Sequence, residues 1–147
     1  SAGNTAAAVG YVTMGRSKQT GIGRSGEYFV AHLLELAGVE VYRVDGDCDL
    51  VANLGGELLR LEVKSASAVG TRGRYRFHIG ARPNADFCAF VALDLALLRI
   101  LNPSEIGKAE IKTLHPRRFT AANQADDILM LIENLKGRKP STNPTAP

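Results

Sequence analysis

The chain has only two cysteines, Cys48 and Cys88, among 147 residues. That is too few for a disulfide framework and fits packed thiols in a reducing, cytoplasmic setting. Its three histidines, His32, His78 and His115, lie far apart and have no cysteine partners, which argues against a zinc site. Neither a signal peptide nor a spanning apolar run is evident, and the longest apolar stretch, Phe87 to Leu93, is of strand length, so no membrane association is expected. The run Gly21-Ile22-Gly23-Arg24-Ser25-Gly26 has glycines ahead of a helix, but no strand clearly precedes it and no Walker lysine follows, which disfavours a nucleotide-phosphate loop. Ser65 and Ser67 lack a His-Asp arrangement that would activate them. Acidic excess is missing too: the formal net charge is +3, which permits a polyanionic partner without requiring one.

What remains is an ordinary globular composition, 45% hydrophobic and 22% charged, at a length that supports one domain with a real core. Residues 1–20 are small, polar and aperiodic, and residues 138–147 are rich in Pro and Thr. A flexible N-terminal segment and a disordered tail are therefore expected around a body spanning 21–137. Ser25 to Ala37 predicts a helix, with Ser25 as N-cap, Gly38 as its stop, and Phe29, Val30, Leu33, Leu34, Leu36 and Ala37 on one arc. Val39 to Val44 and Asp47 to Ala52 read as extended, and Gly55-Gly56 as a hairpin turn into Leu58–Ser65. In that strand Leu59, Leu61 and Val63 share one face while Leu58, Arg60, Glu62 and Lys64 share the other. Arg74 to Ile79 alternates likewise, with Tyr75, Phe77 and Ile79 inward. Phe87–Leu93 reads as a central strand and Leu97–Leu101 as another, stopped by Asn102-Pro103. A last helix over about Ala122–Lys136 is carried by Ile128, Leu129, Leu131, Ile132 and Leu135. Helix, strands and helix together predict an α/β layer structure around one sheet.

The chemistry concentrates on the Gly55-Gly56 hairpin. If the polar faces of its strands coincide, Asp49 and Glu62 project into one space, with Lys64 one pleat further along. Paired carboxylates repel and raise one pKa unless a cation neutralises them. Such hard oxygen donors suit Mg²⁺ or Mn²⁺, which keep waters and accept phosphate oxygens. A lysine beside the ion would hold the attacking water or stabilise charge on phosphorus, so the set suits phosphodiester hydrolysis. Glu27 falls at the edge of the first helix's apolar arc, where a carboxylate also favours the helix N-terminus. Arg72, Arg74 and Arg76, interleaved by Tyr75, read either as a backbone-binding stripe or as a charged strand face.

The segments G-R-S-G-E-Y-F-V-A-H-L-L-E-L-A-G-V-E-V, D-C-D-L-V-A and L-R-L-E-V-K-S-A together resemble the PD-(D/E)XK nuclease superfamily, over about Gly23 to Ser67. Glu27, Asp49, Glu62 and Lys64 match its helix glutamate, motif aspartate and E-x-K in order. Cys48 stands where a proline often precedes the aspartate, which leaves Asp47 as a rival ligand. The resemblance implies a restriction-endonuclease-like fold, with a central mixed sheet flanked by helices, and Mg²⁺-dependent DNA cleavage with Mn²⁺ as a substitute. It implies metal binding by Asp49, Glu62 and the Val63 carbonyl, with Glu27 assisting, and DNA binding by Arg24, Arg72, Arg74 and Arg76. Two branches resemble the chain most. Archaeal-type Holliday junction resolvases share the compact layout, which implies a role in DNA recombination. Intron-associated homing endonucleases share the late strand followed by a proline segment, although that branch often has Gln where Glu62 stands. Both imply a homodimer or higher oligomer, since two strands need two sites. The rival class is a non-catalytic DNA-binding module with the same fold.

Overall fold

Gly38 ends the first helix for a backbone reason. Its φ is +92°, and the last turn closes with Gly38 N–H donating to Glu35 O and Val39 N–H to Leu34 O, each at 3.0 Å. This α1 spans Lys18–Leu36 in the computed structural model, which describes residues 18–46, 48–80 and 84–138. Most of the expected flexible start (residues 1–17), Asp47 and residues 139–147 lie outside the described residues. Because α1 begins at Lys18, Ser25 is not its N-cap, and Gly21 to Gly26 are helical rather than a loop. Val30 and Leu34 are buried and Phe29 and Leu33 pack beside them, but Leu36 is 72% exposed and Ala37 is exposed too, so the apolar arc is narrower than expected.

Gly26 explains how a glycine-rich sequence stays helical here. A Cβ at this position would stand 1.7 Å from Ser65 Oγ and 3.0 Å from Ser65 Cβ, so the missing side chain lets α1 seat on the neighbouring strand. Ser65 Oγ, buried in that contact, has no hydrogen-bond partner among the described residues. Tertiary packing thus offsets the poor helix propensity of the three glycines. Gly26→Ala is expected to destabilise the protein by about 1–3 kcal/mol through overpacking. Gly23→Ala, with nothing within 4 Å of the added Cβ, is expected to stabilise it by about 0.4–1 kcal/mol. Urea unfolding of the two variants checks the opposite signs.

The strands follow as β1 (Glu40–Arg43), β2 (Leu50–Leu54), β3 (Glu57–Ala66), β4 (Tyr75–His78), β5 (Phe87–Ala92) and β6 (Leu97–Leu101). After them come a one-turn helix α2 (Pro103–Ile106), β7 (Ile111–Leu114) and α3 (Ala121–Gly137). A five-stranded mixed sheet has the order β1-β2-β3-β5-β6, with β3 and β5 parallel and the other pairs antiparallel. Helices flank it, which is the expected fold class. On one face Leu50, Leu59, Leu61, Val63, Ala89 and Ile100 pack with Val30 and Leu34 of α1 and Leu131 and Leu135 of α3. Leu129, expected in that stripe, is 57% exposed. β5 is buried at every residue, as a strand covered on both faces should be.

The opposite face of β5 and β6 is covered by a two-stranded sheet of β4 and β7, which the sequence did not suggest. Tyr75, Phe77 and Ile79 point inward as expected. Phe77 meets Phe90 edge-on at 5.0 Å and Tyr75 meets Phe119 edge-on at 5.1 Å. α3 is fastened to β6 by Asp127, which is buried and accepts hydrogen bonds from Arg99 Nε at 2.7 Å and Ile100 N–H at 2.8 Å. Among the described residues, no helix is long and apolar enough to cross a membrane.

Candidate active site

The β2–β3 hairpin sets the site. Gly55 and Gly56, with φ of +60° and +91°, form a two-residue turn that joins Leu54 to its partner Glu57. From there the register runs to Leu50 opposite Leu61, both fully buried. Side chains alternate, so Asp49 and Glu62 emerge from the other face. Asp49 lies one residue before β2 but is locked in place: its N–H donates to Leu61 O at 3.0 Å, and its Oδ2 accepts from Val63 N–H at 2.8 Å. Lys64 Nζ stands 3.2 Å from Glu62 Oε2. In the parallel register Glu62 and Lys64 align with Cys88 and Phe90 of β5, on the face that β4 and β7 cover further along.

Burial, then the Asp49 carboxylate, push the Glu62 pKa above the ordinary carboxylate value, outweighing the lowering effect of Lys64. The same negative field reaches Cys88 beneath the site. Burial, followed by Glu62, pushes its thiol up to about 12, so it is a neutral packing group and not a nucleophile. Both cysteines are free and buried. The donor set suits a hard divalent cation: two carboxylates, one with raised proton affinity, stand beside a lysine.

Glu27 stands apart from this pair. Its Oε1 accepts from Arg43 Nε at 3.0 Å and lies 3.0 Å from the second Arg43 nitrogen, while the guanidinium sits 5.3 Å over the Tyr28 ring. Arg43 is opposite Leu50 in the β1–β2 register, on the helix-covered side of the sheet. Among the described residues no three His, Cys, Asp or Glu side chains converge in a way that could hold a metal ion, so the acidic group is the Asp49–Glu62 pair. Asp47, the rival ligand, lies outside the described residues. Val63 turns its side chain into the core and presents only backbone to the site.

The arginines gather on the β4 side. Arg72, Arg74 and Arg76, with Thr113 of β7, line a cavity of about 590 Å³. Arg76 also lines a neighbouring cavity of about 360 Å³ together with Lys64, Ser67 and His78. Arg24 is half-buried on α1 and lines neither. Arg60, whose role the sequence left open, is paired structurally: its N–H donates to Asp86 Oδ2 at 2.8 Å and its Nε lies 3.8 Å from the same oxygen. Sequence reading missed the Arg43 clamp on Glu27, and it missed that His78 shares a cavity with Lys64. The alternation of His78 with Arg74 and Arg76 was the available signal for the second.

The sequence matches no protein-family model and no curated protein. Eleven solved chains are similar in structure. Among them is the bacterial homing endonuclease I-Ssp6803I, at a TM-score of 0.66 and 18% identity, over 82% of this chain and 96% of that one. At that identity the likeness is one of fold: this chain has the mixed-sheet architecture of a homing endonuclease.

Proposed function

We propose that the chain is a divalent-metal-dependent DNA endonuclease of the PD-(D/E)XK type. The observation that carries this reading is the convergence of Asp49, Glu62 and Lys64 on one face of the β2–β3 hairpin. Asp49 and Glu62, with the Val63 carbonyl, would hold Mg²⁺ or Mn²⁺. The chemistry a bound ion supplies is polarisation of the phosphoryl oxygen and acidification of the attacking water. Lys64 orients that water or neutralises charge that develops on the phosphate. Glu27, clamped by Arg43, acts from the helix side by positioning. Arg72, Arg74 and Arg76, helped by Arg24, hold the DNA backbone through its phosphates. One site cuts one strand, so the working form is a homodimer or higher oligomer, and the two buried free thiols fit a reducing compartment.

For the substrate, the compact motif layout supports branched DNA, as for a Holliday junction resolvase. The fold likeness to a homing endonuclease supports a second reading, cleavage of duplex DNA at a chosen sequence. A panel of four-way junction, flap, linear duplex, plasmid and single-stranded DNA, each with Mg²⁺, Mn²⁺ or chelator, tests both. Metal-dependent cutting is expected, and preference for the junction or for one duplex sequence selects between the readings. Binding without cutting of any DNA supports the non-catalytic module, and neither binding nor cutting overturns the DNA reading.

A further inference from the structure

His78 is held as a fixed part of the cavity wall beside Lys64. Its neighbours Phe77 and Ile79 are buried, it pairs with Ile111 in the β4–β7 register, and Ile79 N–H donates to Glu110 O at 2.7 Å. Its side chain is thereby turned outward, into the cavity of about 360 Å³ that Lys64, Ser67 and Arg76 also line. Among the described residues the imidazole has neither a hydrogen-bond nor an ion-pair partner, and no carboxylate lines this cavity or the adjoining one. A preformed recess lined by an ammonium, a guanidinium, an imidazole and a hydroxyl, with no carboxylate in its own lining, suits an anion. The second cavity, which shares Arg76 in its lining, extends the same character along the β4 side to Arg74 and Arg72.

Lys64 alone offers one point charge, and that charge already leans on Glu62 at 3.2 Å. A phosphate in front of it would present further non-bridging oxygens toward β4, where His78 lines the same cavity and carries a ring N–H able to donate. We propose that His78 donates a hydrogen bond to a non-bridging oxygen of the phosphate that Lys64 faces, while Arg76 holds the next phosphate of the same strand. This assignment rests on the DNA endonuclease reading above. It makes His78 a catalytic residue, because the bond strengthens as charge accumulates on the phosphate oxygens.

The full chain, labelled at histidine with ¹⁵N, is titrated with a short duplex and with a four-way junction in the absence of divalent metal, so that nothing is cut. Imidazole resonances report contact, and fluorescence anisotropy reports binding in parallel. The His78 resonance is expected to shift with the bound fraction, while that of His32, exposed on α1, stays still. His115 is a poor reference because it stands near Arg74 and Arg117. In kinetics, His78→Ala is expected to lower kcat by about 10²-fold. Its DNA Kd is expected to stay within about fivefold of the wild type, with an unchanged melting temperature. His78→Gln, which keeps a donor, is expected to recover part of the rate. If DNA binds while the His78 resonance stays silent, or if His78→Ala cuts at the wild-type rate, the assignment is overturned and the DNA reading stands. If neither DNA binds, both are overturned.

Discussion

Glu62→Gln is expected to reduce metal-dependent cleavage by about 10³-fold or more and, in chelator, to raise the melting temperature. The two effects share one cause. Glu62 is only 15% exposed and faces Asp49, and burial followed by that neighbour raises its pKa in the folded protein. For a carboxylate with a raised folded pKa, the folded state binds the proton more tightly than the unfolded chain does. Its contribution to stability is full below the ordinary carboxylate pKa and is lost as pH rises through the folded value. At neutral pH the wild-type site is therefore under charge repulsion. The glutamine amide fills the same space without the charge and relieves it. A bound divalent ion relieves the wild type in the same way by mass action, so Mn²⁺ should raise the melting temperature of the wild type and do little for Glu62→Gln. Asp49→Ala should also abolish cleavage, but without the stability gain, because it frees the Val63 N–H that its Oδ2 accepts at 2.8 Å. Thermal melts with and without Mn²⁺, alongside cleavage rates, read all of this. Equal Mn²⁺ stabilisation of wild type and Glu62→Gln would sink the metal assignment.

Asp127→Ala is expected to cost about 3–5 kcal/mol of stability, the usual penalty for stranding one member of a buried ion pair. The Arg99 and Asp127 side chains are 14% and 12% exposed. Asp127 also takes the Ile100 N–H, so its loss leaves both a guanidinium and a backbone donor unpaired at the β6–α3 contact. Arg99 keeps one bond, to Arg118 O at 3.3 Å, which does not restore the missing charge. Replacing both partners by apolar residues of similar volume, Arg99→Met with Asp127→Leu, should recover part of the loss by removing the stranded charge, while the Ile100 N–H stays unpaired. Chemical denaturation of the single and double variants checks this. A single variant as stable as wild type would mean that the pair contributes nothing net.

The hairpin core was legible because period-two alternation and a Gly-Gly turn are local signals. Leu59, Leu61 and Val63 are buried where the pattern put them, and Asp49 meets Glu62 across the turn. The start of α1 was not legible. Gly21, Gly23 and Gly26 weaken helix propensity, and the compensating contact, Gly26 on Ser65, joins residues far apart in sequence. β7 was missed for a similar reason: four residues, I-K-T-L, gain strand character only from pairing with distant β4. The Arg43–Glu27 clamp likewise depends on how α1 lies over β1, which no periodicity encodes. The overlong apolar arcs at Leu36 and Leu129 reflect helix ends and edges that outrun the sheet beneath them.

The two-residue turn at Gly55-Gly56 also governs how this protein can change over evolutionary time. Because Leu50 faces Leu61 and Asp49 follows from that pairing, one residue inserted or deleted within the paired stretches, Leu50–Leu54 or Glu57–Leu61, would shift the rest of that strand by a single step past its partner. In β3 that slip would exchange Glu62 and Lys64 with Leu61 and Val63 across the sheet, placing charges in the core and leucines at the site. Exposed positions on the hairpin, such as Leu58, are free to drift in identity. The spacing is not, so descendants that retain this chemistry should vary in letters here but not in length.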